Sequence, residues 1–539
     1  MILPEQQRQL IFIFLLAVAI CVPALFWLTF PARDSALYAR LTLEFSEGNF
    51  DRAFNADYPP LLTSLGGIIN YWVGEPFLAN QIASISLFLF GIPGTYMLAK
   101  EMSNAKTAAI AAILYSVCPY TVELATSGGV DSGKLALLPW LVWATYKWCS
   151  AGGLRWGMTV GLVGGVLSYS RGEGALFAAW SLLLFTVIWI FNAGNKGHTI
   201  SRTISSLFAA FSVLLLVTLP LIAYQFDQTG YIVTHPSQIR IYDTFDRLKR
   251  SLVADATASS ICASDEPTMQ TRTPEDQTGG KNESISWSHN MEKAIKGFYI
   301  PFFLLALVGI WHRKLSGQRF SRKEIFPLTF MALNFAIFFP SSVTASRYFQ
   351  TTIPLYLYLS ATGVLALSSM STKHPTLTPN RIKFIGYSAI LVFALLAQKE
   401  CDFLKNEAKL KEDKTLMQIG RWISDHREIF PFYGTLPNSR AYQNGRIPVI
   451  LSVDFRIAYY AKADCVILPR DIRLMPQSIA KFSRRKNVSL ILYDKRFEEL
   501  CPGFGDYWPA DPVYRPVDLL DDFPRHNQEI RLLALEQLE

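Results

Sequence analysis

Asp34 stands just past the first apolar run, in the segment Phe30-Pro31-Ala32-Arg33-Asp34-Ser35-Ala36-Leu37-Tyr38-Ala39-Arg40. Leu37, Tyr38, Leu41 and Phe45 follow it at helical spacing and fall near the same face. The spacing predicts an interfacial helix that holds one carboxylate at a membrane surface. A carboxylate in that position can take a proton from a hydroxyl brought against it. Other ionisable residues also sit at the edges of apolar runs: Glu123, Asp131 after Gly128-Gly129, Lys134, Arg171 with Glu173, His235 with Arg240, and Arg347 beside Tyr348. Most have a plainer reading. Asp34 and Asp131 are also placed to cap helices. Arg171 and Glu173 are spaced for a local ion pair, worth at most about 1 kcal/mol if exposed. Lys134 and Arg347 are also suited to anchor helix ends by snorkelling. Tyr58-Pro59-Pro60 is a stiff, extended turn that shapes its loop.

The elements that must position these groups are membrane helices. Of 539 residues, 50% are hydrophobic and 17% charged, with a mean hydropathy of +0.22. Soluble chains carry about a quarter charged residues. About eleven spans of bilayer length are predicted, at 9–30, 77–98, 106–121, 133–150, 154–170, 174–192, 203–225, 297–311, 324–340, 348–369 and 382–398. The first has one Arg8 before it and no small-residue cleavage site after it, so it reads as a retained anchor. The net charge of +8 collects in short loops: Lys100 with Lys106, Lys147 with Arg155, Lys196 with Arg202, Arg313 to Lys323, and Lys373 to Lys383. That alternation points to membrane orientation and not to nucleic acid. It predicts a cytoplasmic N-terminus. The outer side then receives residues 31–76, the polar loop 226–296 and the tail from Lys399, together with all the edge residues named above.

The chain therefore divides into a helical membrane domain over 1–398 and an outer domain over 399–539. In the tail, a charged helix near 403–425 precedes short apolar runs at 448–453, 465–468 and 488–493 with helical patterns between them, which predicts a small α/β fold. Cys262, Cys401, Cys465 and Cys501 fall outside, where disulfides form. No Cys or His spacing marks a zinc site, and no internal repeat marks a transporter.

The segments Arg33 to Arg40, Gly48-Asn49-Phe50 and Tyr58-Pro59-Pro60-Leu61-Leu62 together resemble the first outer loop of GT-C fold glycosyltransferases. The resemblance is narrower to the bacterial branch containing the lipid A aminoarabinose transferase and protein O-mannosyltransferase-like enzymes. Ser127-Gly128-Gly129-Val130-Asp131, Ser170-Arg171-Gly172-Glu173-Gly174 and Ser346-Arg347-Tyr348-Phe349 resemble its later acidic, Arg-x-Glu and Arg-Tyr segments. Ser35 stands where many relatives have Glu. Tyr58 stands where the aminoarabinose branch has a phosphate-associated Lys, so phosphate binding would fall to other cations.

The resemblance implies a polytopic GT-C protein of the cytoplasmic (inner) membrane with an extracytoplasmic α/β tail. It implies a polyprenyl-phosphate sugar donor and a lipid, glycan or protein acceptor on the outer face. It assigns Asp34 as base in a single inverting displacement, with Asp131 in support. Tyr38, Tyr58, Lys134, Arg171, Glu173, His235, Arg240, Arg347 and Tyr348 would line the substrate site, with Arg347 foremost as phosphate ligand. His235 and Arg240 correspond to a His and an Arg tied in relatives to a metal and to phosphate, so a divalent metal ion stays open. The competing class is a transporter or lipid-linked sugar flippase. It would place charges near the midplane on broken helices, whereas these spans are nearly free of ionisable residues there.

Overall fold

The structure is a computed structural model. It describes residues 5–27, 31, 33–54, 58–192, 200–234, 287–315, 322–339, 345–371 and 407–426. In the tail it describes 449–452, 455–461, 463–467, 475–485, 488–510, 514–517 and 531–535. His235, Arg240, Asp57 and the expected span 382–398 lie outside the described residues, as does most of the loop 226–296.

The chain begins with α1 (Glu5–Trp27), α2 (Arg33–Ser46), the single turn α3 (Phe50–Ala53) and α4 (Pro60–Val73). There follow α5 (Pro76–Met102), α6 (Ala105–Val117), α7 (Pro119–Thr126), α8 (Asp131–Ala151), α9 (Leu154–Ser170), α10 (Gly174–Asn192) and α11 (Ile200–Thr229). Beyond the polar loop come α12 (Trp287–Gly297), α13 (Ile300–Leu315), α14 (Arg322–Phe338), the short α15 (Ser346–Gln350) and α16 (Ile353–Ser371). Helices thus cover ten of the eleven expected spans. Among the described residues, four helices are long and apolar enough to cross a membrane. Two bent pairs pass the same test together: α6 with α7 at 55°, and α12 with α13 at 74°. The protein is an integral membrane protein.

Small residues bring these helices together. On α9, a Cβ at Gly157 would lie 2.6 Å from the Ser206 carbonyl of α11, and Gly161 and Gly165 repeat the close approach one and two turns on. Gly309 of α13 lies against the Leu359 carbonyl of α16 in the same way, at 2.5 Å. Apolar side chains gain little by leaving lipid, so close backbone approach of this kind is what holds membrane helices together. α8 runs through the middle of the bundle, with Trp148, Leu138 and Leu141 fully buried.

In the tail, α17 (Glu407–Asp425) precedes β1 (Val449–Ser452), α18 (Phe455–Ala461), β2 (Asp464–Ile467), α19 (Pro476–Arg485), β3 (Leu490–Tyr493), β4 (Tyr514–Val517) and β5 (Arg531–Leu535). The sheet order is β2-β1-β3-β5-β4. β2, β1 and β3 are parallel, and β5 pairs antiparallel with β3 and β4. Alternate residues face opposite sides. Leu451, Ile491 and Leu533 pack with Phe497 and Phe504, while Ile450, Leu490, Leu492 and Leu532 pack with Leu416, Ile419 and Ile423 of α17. The expected runs became β1, β2 and β3; β4 and β5 are additional. Cys501 is a buried free thiol, pushed up to about 11 by burial and by Glu498. Cys262 and Cys401 lie outside the described residues.

The chain separates into two compact units. One comprises Met1–Trp27 and Thr42–Cys401, the other Leu28–Leu41 and Asp402–Glu539. The division falls within α2.

Candidate functional site

The charged residues at the helix edges of the first unit converge. α9 ends at Ser170, Arg171 takes an extended conformation, and the turn through Gly172 and Glu173 leads straight into α10. Gly174 makes this turn tight, since a Cβ there would lie 2.5 Å from the Leu167 carbonyl. Arg171 and Glu173, two apart across the turn, form an ion pair, with Arg171 Nε 3.2 Å from Glu173 Oε1. Opposite them, the turn before α8 passes through Gly128 at φ +65°. That turn is held from α5: Gln81 Nε2 donates to the Thr126 carbonyl at 2.9 Å, and Ser132 Oγ hydrogen-bonds Ser84 Oγ at 3.2 Å. α8 then opens on Asp131, where the helix dipole favours a carboxylate. Its N-cap is Val130, which makes no side-chain cap bond.

Asp131 is 5% exposed. Its Oδ1 lies 3.0 Å from Arg171 Nη1 and its Oδ2 lies 3.7 Å from Arg347 Nε. The Arg171 contact is close in charge but not aligned as a hydrogen bond, so Oδ1 has no directed hydrogen-bond donor among the described residues. One turn along α8, Lys134 is 1% exposed. Its Nζ donates to Glu173 Oε1 at 3.0 Å and to Asn334 Oδ1 of α14 at 2.8 Å. It also lies over the rings of Phe177 and Phe338, at 5.1 and 4.9 Å. Tyr348 completes the group. Its ring stacks on Phe338, lies 4.9 Å from the Arg171 guanidinium and 5.7 Å from that of Arg347, and its carbonyl accepts from Asn334 Nδ2 at 3.2 Å.

Among the described residues, the cations Lys134, Arg171 and Arg347 thus gather around the carboxylates of Asp131 and Glu173. Burial alone would push the Glu173 carboxyl up. Arg171 and Lys134 outweigh it and hold the group at about 2. Arg347 is the outward member, with 43% of its side chain exposed. The arrangement is a set of buried ion pairs that ends on a half-exposed guanidinium, a group of the kind that binds anions.

Asp131, Lys134, Arg171, Glu173, Arg347 and Tyr348, widely separated in sequence, therefore form one cluster in the first unit. Arg171 and Glu173 do form the local pair of the plainer reading, but buried and extended by Lys134 and Asp131. Lys134 is enclosed by Glu173, Asn334 and two rings, so it supports the cluster from within. Tyr58, half-buried, precedes Pro59 and Pro60, which start α4. Asp34 and Tyr38 belong to the second unit. Asp34 is half-buried in the first turn of α2, and Ala36, Leu37, Tyr38 and Leu41 are buried. Arg40 Nη1 donates to the Ala463 carbonyl at 2.5 Å, at the start of edge strand β2. His235 and Arg240 are outside the described residues.

Asn334, Phe177 and Phe338 escaped the sequence reading. The signal for Asn334 was a lone amide inside an apolar run, Leu333-Asn334-Phe335, which membrane helices rarely carry without a partner. The two rings had no such signal. Among the described residues, no group of three or more His, Cys, Asp or Glu side chains is placed to hold a metal ion. His235, the residue the resemblance ties to a metal, lies outside the described residues.

The chain has the fold of the GT-C glycosyltransferases. It is similar over 97% of both chains to ArnT from Cupriavidus metallidurans bound to undecaprenyl phosphate, with TM-score 0.61 and 11% identity. It also matches the oligosaccharyltransferase AglB from Archaeoglobus fulgidus, in complex with an inhibitory peptide and a dolichol-phosphate. That match has TM-score 0.53 and 13% identity over 97% of this chain and 75% of that one. Residues 57–224 match the dolichyl-phosphate-mannose-protein mannosyltransferase family. No curated protein sequence matches the chain.

Proposed function

We propose that this protein is a glycosyltransferase that moves a sugar from a polyprenyl-phosphate donor to an acceptor on the outer face of the membrane. The observation that carries the reading is the cluster around Asp131, where the Arg171 and Arg347 guanidinium groups meet on one carboxylate and Arg347 is half-exposed. The likeness to ArnT bound to undecaprenyl phosphate supports it.

The chemistry is a single displacement with inversion. An acceptor hydroxyl attacks the anomeric carbon and gives up its proton to a carboxylate, a role we assign to Asp34. The new carbon–oxygen bond forms as the bond to the lipid phosphate breaks, and the phosphate leaves with the electron pair. Arg347 meets the charge that develops on it, and Arg171 and Tyr348 back Arg347. Asp131, engaged by two guanidinium groups, aligns them. Lys134 and Glu173 hold Arg171 in place. We place the N-terminus in the cytoplasm of a cell with an inner membrane and the tail outside, following the basic loops. Tyr38, Tyr58, His235 and Arg240 keep their substrate-site assignment on the sequence resemblance alone.

Mass spectrometry of envelope glycans tests this directly. A deletion strain should lose one sugar increment, restored by the wild-type chain and not by Asp34→Asn expressed at the same level. Full restoration by Asp34→Asn would remove the base assignment. An unchanged glycan profile in the deletion strain would remove the transferase reading.

A further inference from the structure

We infer that α12 is a membrane-surface helix that positions Arg347 and Tyr348; the consequence for donor binding rests on the reading of Arg347 given above. α15, which carries both residues, has five residues. A single turn does not hold itself in water or at an interface, so packing must fix its place. α15 packs chiefly on α12. The contact centres on Gly297, where a Cβ would lie 2.5 Å from Phe349 Cβ and 2.7 Å from the Ser346 carbonyl. Those residues flank Arg347 and Tyr348. No side chain larger than hydrogen fits without moving that backbone.

The rest of α12 is tied to the same place. Asn290, 3% exposed, donates to the Phe339 carbonyl at the end of α14, at 2.7 Å. The Phe298 ring lies 6.2 Å from Phe349 and 6.3 Å from Tyr356, and the Tyr356 hydroxyl donates to the Phe298 carbonyl. At the elbow, Tyr299 takes φ +50°, a left-handed conformation that a residue with a side chain rarely adopts. Its ring is held against Tyr120 and Phe302, at 5.2 and 4.8 Å. The 74° bend is therefore braced on both sides.

What lies over α12 follows from its three stripes. Asn290, Ala294 and Gly297 are buried against the protein, and Glu292 pairs with Lys296 on a charged stripe at 2.6 Å. Met291 and Ile295, 45% and 49% exposed, form the third. That stripe continues the exposed apolar side of α13, made by Ile300, Phe303, Leu304 and Leu307. A short helix turned steeply from an apolar one, with an apolar edge beside a charged edge, lies in the membrane interface. The occupant is the lipid surface.

Hydrogen exchange on the full-length protein in lipid nanodiscs tests the positioning without reference to the donor. In Gly297→Val, exchange of the 345–352 backbone should rise about tenfold or more while α9 and α11 stay protected. Gly297→Ala should give a smaller rise and serves if the valine variant does not fold. Unchanged exchange at 345–352 in a folded variant overturns the inference. With undecaprenyl phosphate as probe, Gly297→Val should weaken binding about tenfold, with no further loss when combined with Arg347→Gln. Additive losses would overturn the route through Arg347. If Arg347→Gln alone binds like wild type while exchange at 345–352 still rises in Gly297→Val, the donor-site reading fails and the positioning stands. Met291→Glu with Ile295→Glu should raise exchange across 287–297 and 345–352; wild-type exchange there would overturn the seating in lipid.

Discussion

Lys134 Nζ donates to Glu173 Oε1 at 3.0 Å, and the same oxygen is 3.2 Å from Arg171 Nε. One carboxylate oxygen thereby keeps two cations together that would otherwise repel, one from α8 and one from the turn after α9. The consequence is a guanidinium fixed in direction before any ligand arrives.

Removing one partner of that arrangement should be costlier than removing both. Glu173→Gln removes the carboxylate charge that buried Lys134 and Arg171 share, leaving Lys134 with the neutral Asn334 amide and Arg171 with Asp131, and Lys134→Met leaves Glu173 short of a donor. Each should destabilise the protein by about 3–5 kcal/mol, as breaking a buried pair does. The double variant should lose less than the sum. Thermal unfolding of the detergent-purified chain checks this, and strict additivity would deny the coupling.

The same group sets a pH dependence. The Glu173 carboxyl is held at about 2, against an ordinary value of 4.5. A depressed carboxyl contributes stability that is fully present above its unfolded value and is lost as pH falls towards the folded one. Wild-type melting temperature should therefore fall between about pH 4.5 and 2 more steeply than that of Glu173→Gln. Parallel curves for the two proteins would count against it.

Arg347 is expected to carry donor affinity and Asp34 turnover. Arg347→Gln should weaken undecaprenyl phosphate binding by about 10- to 100-fold, the loss of one charge-assisted contact of about 1.5–3 kcal/mol. Arg347→Lys should fall between, because an ammonium does not present the guanidinium fork. Asp34→Asn should bind the lipid as wild type does and transfer no sugar. Titration of each variant in nanodiscs gives the affinities, and equal affinity in all of them would reassign Arg347.

Arg40 is expected to act on the half of α2 that carries Asp34. Its hydrogen bond to the Ala463 carbonyl ties that half to the tail sheet. Arg40→Ala should cost about 1–2 kcal/mol locally. It should raise hydrogen exchange over 33–41 and lower the rate of transfer, with the lipid Kd unchanged. A changed Kd with protected 33–41 would point to a different role.

Much of the helical frame was legible because membrane helices advertise themselves. Ten of the eleven expected spans fall on helices, and among the described residues four of these, or six with each bent pair taken as one, are long and apolar enough to cross a membrane. The parallel strands were legible from short apolar runs between turn residues. β5, Arg531-Leu-Leu-Ala-Leu535, was not, because it is a strand only through pairing with β3 and β4. The charged edge residues stood out because ionisable groups there are expensive and need partners. Asn334 stood out less, since one amide in an apolar run names no partner.

The sequence by itself determined that this is a helical membrane protein and which carboxylates and cations stand at the edges of its apolar runs; it missed α4 and α12 and ran α6 and α7 together as one span. Hydrophobic length and charge placement are local properties and can be read in one dimension. Only the tertiary structure decided which charge meets which. Asp131 lies against Arg171 and Arg347, 40 and 216 positions away, and Lys134 against Asn334, 200 positions away. It also decided that residues 28–41, with Asp34, group with the tail and not with the bundle that follows them in the chain. Those pairings depend on close approach at glycines and on burial that leaves Asp131, Lys134 and Glu173 little solvent to turn to, and neither exists until the helices have packed.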